Sequence, residues 1–196
     1  MDKETAVSSL TDVMAKFTAY IGKRLPRDVK EKTAKLRAAE TNPLAIAVYD
    51  SMADNQEYAD KLNRPSCQDT GVIQYFVSAG ARFPLLGEME SILENATREA
   101  TIQGPLRHNA VETFIEKNTG TNTGSKIPWL DWEIIPDADY AIVDVYMAGG
   151  GCTLPGSAKV LMPGQGYEGV TEFVFDVITS RGVNACLLYT SPSPRD

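Results

Sequence analysis

In the stretch "NRPSCQDTG" (63–71) a thiol and a carboxylate stand two residues apart, just ahead of a β-branched run. Packing cysteines sit among apolar neighbours, whereas Cys67 is flanked by Ser66, Gln68 and Asp69. In an extended segment side chains i and i+2 point the same way, so Cys67 and Asp69 are expected to face one site. A thiolate ligand beside a carboxylate suits metal-assisted acid–base work. One cysteine does not make a metal centre. A half-buried packing thiol therefore stays open as the plainer reading of Cys67.

Two further stretches could complete such a site. In "GPLRHNAVE" (104–112), Arg107 is either a solvated charge or the clamp for a carboxylate, which its planar fork matches bidentately. His108, the sole histidine, reads as a structural hydrogen-bonder more readily than as a catalyst. In "MAGGGCTLPG" (147–156) the triple glycine forms either a tight turn or an approach by which backbone N–H groups meet an anion. Cys152, followed closely by Leu154 and Pro155, reads as structural.

These residues need elements to position them. Ala6, Leu10, Val13, Phe17 and Ile21 recur at helical spacing and predict an inner stripe. A charged helix to about Glu40 follows. Another opens at Pro43, a residue suited to the first turn, with Leu44, Val48, Met52, Ala59 and Leu62 facing inward. "VIQYFVSA" predicts a strand, and Met89, Ile92, Ala96 and Ala100 mark the inner face of a helix over 88–102. "NTGTNTGSKIP" reads as a loop. "WLDWEII" and "YAIVDVYMA" read as strands, "AKVLM" as a weaker one, and "GYEGVTEFVFDVITS" as a helix packing through Tyr167, Val170, Val174 and Val177. The fold class expected is α+β: a helical N-terminal layer, then a mixed β-sheet with flanking helices.

With 196 residues, 43% of them hydrophobic and 23% charged, the composition is that of a soluble globular protein. Nineteen Lys and Arg against 26 Asp and Glu give a net charge of −7, which argues against nucleic acid or an anionic membrane as partner. An anionic substrate would need locally supplied positive charge. "MDKETAVSSL" carries no apolar signal core, and no run approaches the ~20 residues of a membrane span, so a cytoplasmic location is expected. Cys67, Cys152 and Cys186 are odd in number and widely spaced, unlike a disulfide framework.

"CQDTG", "PLRHNAVE", "NTGTNTGS", "VYMAGGGCTLPGSAKVLMP", "GYEGV" and "VNAC" carry a resemblance over residues 1–186. In this order and spacing the chain resembles the alpha-type family of iron–sulfur hydro-lyases that groups class I fumarases with tartrate dehydratases. The resemblance implies a 4Fe–4S cluster held by three thiolates, with one iron open to substrate. It assigns Cys67 and Cys186 as two ligands, and the third lies in a stretch this chain does not contain. It makes Asp69 the residue handling the proton of a departing hydroxyl and Gln68 a hydrogen-bond partner of substrate. Arg107 would hold a carboxylate, and Gly150 and Gly151 would offer N–H groups to substrate oxygens. An open iron would act as a Lewis acid toward the hydroxyl.

The activity so implied is dehydration of a 2-hydroxy dicarboxylate, L(+)-tartrate to oxaloacetate first, with fumarate hydration as the alternative. A beta subunit would complete the site in a heterotetramer. The competing class is a non-catalytic domain whose cysteines merely pack. After residue 186 the sequence changes character: "LLYTSPSPRD" has no apolar period, and "CLLYTSPSPRD" resembles the translation of a sequencing-library adapter. Residues 187–196 are therefore expected to be a disordered, non-native tail on an N-terminal part of the catalytic domain over 1–186. Lacking a third thiolate and a partner subunit, this chain alone is expected to turn over neither tartrate nor fumarate.

Overall fold

The first helix, α1 (Lys3–Ile21), starts where Asp2 accepts the backbone N–H of Thr5 at 2.8 Å, satisfying a donor that the first turn would leave orphaned. Helix α2 spans Arg27–Ala39, and α3 (Pro43–Lys61) is capped by Asn42, which accepts from the Leu44 N–H at 2.9 Å. Strand β1 (Val72–Gly80) and helix α4 (Met89–Gln103) follow. A two-residue pairing of β2 (Val111–Glu112) with β3 (Lys117–Asn118) precedes β4 (Trp129–Ile135), β5 (Ala141–Ala148) and α5 (Gly166–Ala185). This computed structural model describes residues 2–67, 69–150 and 156–185, divided between the units Met1–Ala148 and Gly149–Asp196.

In the first unit β1 lies between β4, to which it runs parallel, and β5, to which it runs antiparallel. The sheet is mixed and the class is α+β, as expected. Ile73, Tyr75, Val77 and Ala79 of β1 are buried at every second position and meet α1 and α4 on one face of the sheet. Full burial of Ile92 and Leu93 on α4 contributes about 1.5–3 kcal/mol each. A trio of buried hydroxyls is built into this layer. The Tyr75 hydroxyl lies 3.0 Å from the Thr18 hydroxyl and 3.1 Å from that of Thr97, joining β1 to α1 and α4. Burial pushes the Tyr75 phenol above its ordinary range, against the two hydroxyl contacts, so it stays neutral.

Several stripes differ from expectation. On α1 the buried residues are Thr11, Met14, Ala15, Thr18 and Ala19, while Val13 and Phe17 are exposed. The helix carries two candidate faces, and the smaller side chains win because they let α1 approach α4 closely while Thr18 reaches Tyr75. On α3 only Ala59 of the expected stripe is buried, and Leu44 and Leu62 at the two ends are exposed. Tyr167, Val170 and Val174 of α5 are likewise exposed rather than packed. An apolar period states that burial would be favourable, but it does not supply the covering surface. "AKVLM" forms no strand: Val160 is 95% exposed and the segment pairs with nothing among the described residues. Its flanking Gly and Pro residues break it before an alternating face can form.

Gly80 ends β1 where the chain must pass the 138–140 turn at close range. Its N–H donates to the Tyr140 carbonyl at 2.8 Å, and a Cβ there would lie 2.2 Å from the Ala138 carbonyl oxygen. That obstacle is backbone, which cannot swing aside. Gly80→Ala should destabilise the fold by about 3 kcal/mol, the upper range for overpacking. Urea unfolding of this chain measures it, and an unchanged midpoint would contradict the close approach.

Candidate functional site

Cys67 sits on a connection pinned at both ends. Helix α3 closes with Asn63 in the left-handed region at φ 51°, the Arg64 N–H donating to the Ala59 carbonyl at 3.0 Å and the Asn63 N–H to that of Asp60 at 3.4 Å. This is the Schellman pattern, which reverses the chain out of a helix, and an asparagine tolerates the required conformation. Next, the Ser66 N–H donates to the Gly22 carbonyl at 3.0 Å, and the Ser66 carbonyl accepts from Asn55 Nδ2 at 2.7 Å. Both sides of that residue's backbone are thereby tied down, one to the end of α1 and one to α3. Beyond Cys67, Gly71 takes φ 68°, turning the chain into β1.

The geometry between those anchors is a bend and not the extended segment expected. Residues 66 and 67 form the bend, and the Asp69 N–H donates to Cys67 Sγ at 3.4 Å. Alternation of side chains is therefore not what relates Cys67 to Asp69. A local side-chain-to-backbone hydrogen bond across two residues does so instead, the same competition with regular structure that Ser and Asp offer. Both residues are half-buried.

Thr70 joins this bend to the loop that carries Arg107. It is 4% exposed, its N–H donates to Asn109 Oδ1 at 2.8 Å, and its hydroxyl oxygen accepts the Arg107 N–H at 3.0 Å. The Arg107 carbonyl in turn accepts from Asn122 Nδ2 at 3.0 Å and from the Asn109 N–H at 3.0 Å. Asn122 is 1% exposed. Its Nδ2 also donates to the Thr101 hydroxyl of α4 at 3.2 Å, and its Oδ1 accepts from the Ala110 N–H at 3.3 Å. Such a side chain is costly to bury unless satisfied, so its three partners fix it as an internal strut. Leu106 also belongs to the junction, lying where a Cβ on Gly22 would be 2.5 Å from its Cδ2.

The Asn/Thr loop supports the strut. The hydroxyls of Thr119 and Thr121, and of Thr121 and Thr123, lie 2.9 Å apart, and the Thr119 hydroxyl donates to the Thr123 carbonyl at 2.9 Å. Asn118 Nδ2 donates to the His108 carbonyl. His108 and Arg107 are exposed at their side chains, so the loop has an anchored backbone and outward-facing functional groups.

Sequence reasoning did not single out Thr70, Asn109 or Asn122. The signal available was a run of short polar residues beside each candidate, which is also what any turn looks like.

Of the candidates named from sequence, Cys67 and Asp69 lie on the segment that Thr70 joins to the backbone of the Arg107 loop. Gly150 is exposed and belongs to the second unit, while Gln68, Gly151, Cys152 and Cys186 lie outside the described residues. Among the described residues no three His, Cys, Asp or Glu side chains form a metal-binding group. No described helix is long and apolar enough to cross a membrane.

A family model described as fumarate hydratase (Fumerase) matches residues 11–190. The chain is 58% identical over 185 residues to the L(+)-tartrate dehydratase subunit alpha of Escherichia coli O157:H7 and to that of Shigella sonnei. It is 57% identical to the same subunit from Escherichia coli UTI89. These matches cover 94% of this chain and 61% of each relative, so the chain spans about three-fifths of the length of the curated relatives it matches.

Proposed function

The chain belongs to the fumarate hydratase (Fumerase) family, and from that premise we propose that it is part of the alpha-type subunit of a hydro-lyase that dehydrates L(+)-tartrate to oxaloacetate. The observation carrying the substrate is the 58% identity, across 94% of the chain, to relatives named for tartrate. The family description alone would favour fumarate. A partner subunit follows from the relatives' designation as alpha subunits, and a beta chain completing a heterotetramer is the assembly proposed.

The cofactor proposed is a 4Fe–4S cluster, with Cys67 and Cys186 among its ligands. What supports it here is the chemistry at Cys67: a half-buried sulfur that already accepts a backbone N–H, at 3.4 Å from Asp69. Donors aimed at sulfur favour the thiolate and tune an iron–sulfur centre. When bound, the cluster supplies Lewis acidity toward the substrate hydroxyl. Cys67 fits as one ligand of such a group.

Asp69 delivers a proton from its carboxyl group to the departing oxygen as the C–O bond breaks and water forms, while a base of the beta subunit takes the proton from the adjacent carbon. Arg107 pairs a substrate carboxylate through its guanidinium fork and orients the carbon skeleton. Gln68 hydrogen-bonds the substrate, and Gly150 with Gly151 offers N–H groups to its oxygens. The −7 net charge of the chain makes such local donors necessary for holding a dianion.

Co-expression of a full-length alpha chain with its beta partner under anaerobic conditions tests the proposal. Oxaloacetate should form from L(+)-tartrate faster than malate is made from fumarate. A clear preference for fumarate would overturn the substrate, and a colourless, inactive pair would return the chain to the class of domains whose cysteines merely pack.

A further inference from the structure

The two segments holding the candidate chemistry are separated by some forty positions, yet they share one residue, which belongs to neither set of candidates. Thr70 uses its backbone donor on the Arg107 loop, at Asn109 Oδ1 2.8 Å away, and its hydroxyl oxygen as acceptor for that loop, from the Arg107 N–H at 3.0 Å. The two bonds run in opposite directions across the same junction, so neither segment can shift without breaking at least one. Both bonds are part-buried against the buried Thr70, where a lost partner is not cheaply exchanged for water.

We propose that Thr70 is a positioning residue that sets the distance between the Cys67–Asp69 bend and the Arg107 loop, and thereby between the proton-handling carboxylate and the group that orients substrate. This rests on the functional reading above, and the clamp itself does not. A serine would keep both bonds. A valine of the same shape would keep the N–H to Asn109 and leave the Arg107 N–H without its acceptor. Misplacement of about an ångström in a reacting pair is enough to cost on the order of a hundredfold in rate.

Two measurements separate the clamp from the function it is proposed to serve. In this chain, hydrogen exchange at the Arg107 amide should quicken at least tenfold in Thr70→Val and return to the parent rate in Thr70→Ser. Asn109→Ala, at an exposed side chain, should quicken exchange at the Thr70 amide by a similar factor; it decides the matter if the valine variant does not fold. In the complete alpha–beta enzyme, Thr70→Val should raise KM for the dicarboxylate and lower kcat, each tenfold or more, with the absorption spectrum unchanged and serine restoring both. Unaltered exchange in these variants would overturn the clamp. Faster exchange with unchanged KM and kcat would overturn its positioning role. A parent enzyme inactive on every dicarboxylate would instead overturn the functional reading, leaving the exchange result to stand by itself.

Discussion

Asp69→Asn, in a complete alpha–beta enzyme, should lower kcat about a hundred- to ten-thousandfold, the range for a positioned acid–base group. The substitution suits the question because of how Asp69 is used. Its contact with Cys67 is made by the backbone N–H, at 3.4 Å from the sulfur, and asparagine retains that donor. Shape is nearly preserved at a half-buried position. The carboxylate's charge and its capacity to carry a proton are removed. The absorption of the assembled centre should therefore stay as in the parent, and KM should move much less than kcat. Near-normal turnover with an intact spectrum would remove Asp69 from the chemistry and leave it as part of the bend alone. Loss of colour together with rate would show that its side chain matters for assembly, which would also sink the role proposed.

Legibility in the sequence followed the kind of force involved. Helix α4 was readable to its buried residues, because Met89, Ile92, Ala96 and Ala100 form a single apolar face with one destination. Strand β1 was readable for a similar reason, its β-branched and aromatic run matching a buried central strand. Helix α1 was placed correctly and its inner stripe only in part: Ala6 and Leu10 pack against the core, whereas Val13 and Phe17 are exposed. Choosing between its faces required knowing that Thr18 meets the hydroxyl of Tyr75, fifty-seven positions away. "AKVLM" failed because strand propensity has no meaning without an edge to pair with.

At the candidate site, residue types with chemistry were visible from the sequence and their supports were not. Cys67, Asp69 and Arg107 stand out by reactivity or charge. Thr70 and Asn122 matter through hydrogen bonds to backbone atoms of distant loops, and such bonds leave no period and no unusual composition behind. Even the relation between Cys67 and Asp69 was inferred through alternation, whereas a bend closed by an N–H to sulfur produces it.

Arg107→Ala should weaken dicarboxylate binding in the complete enzyme by about 2–5 kcal/mol, thirtyfold at the lower bound. The anchoring of the loop supports the role proposed. The Arg107 backbone is held at its N–H by Thr70 and at its carbonyl by Asn122 and Asn109, while the guanidinium is left at an exposed side chain. Fixing the stem in advance reduces the entropy lost when the fork closes on a carboxylate. The size of the effect discriminates between two situations. An arginine that meets its ligand in open solvent is worth at most about 1 kcal/mol, or some fivefold, and that much would fade with salt. A thirtyfold or greater loss that persists at high ionic strength requires the carboxylate to be desolvated against it, by substrate enclosure in the full assembly. Arg107→Lys should fall between, since it keeps the charge but not the planar pair of donors. Unchanged affinity in the alanine variant would make Arg107 a solvated surface charge, and the carboxylate would then have to be held from elsewhere.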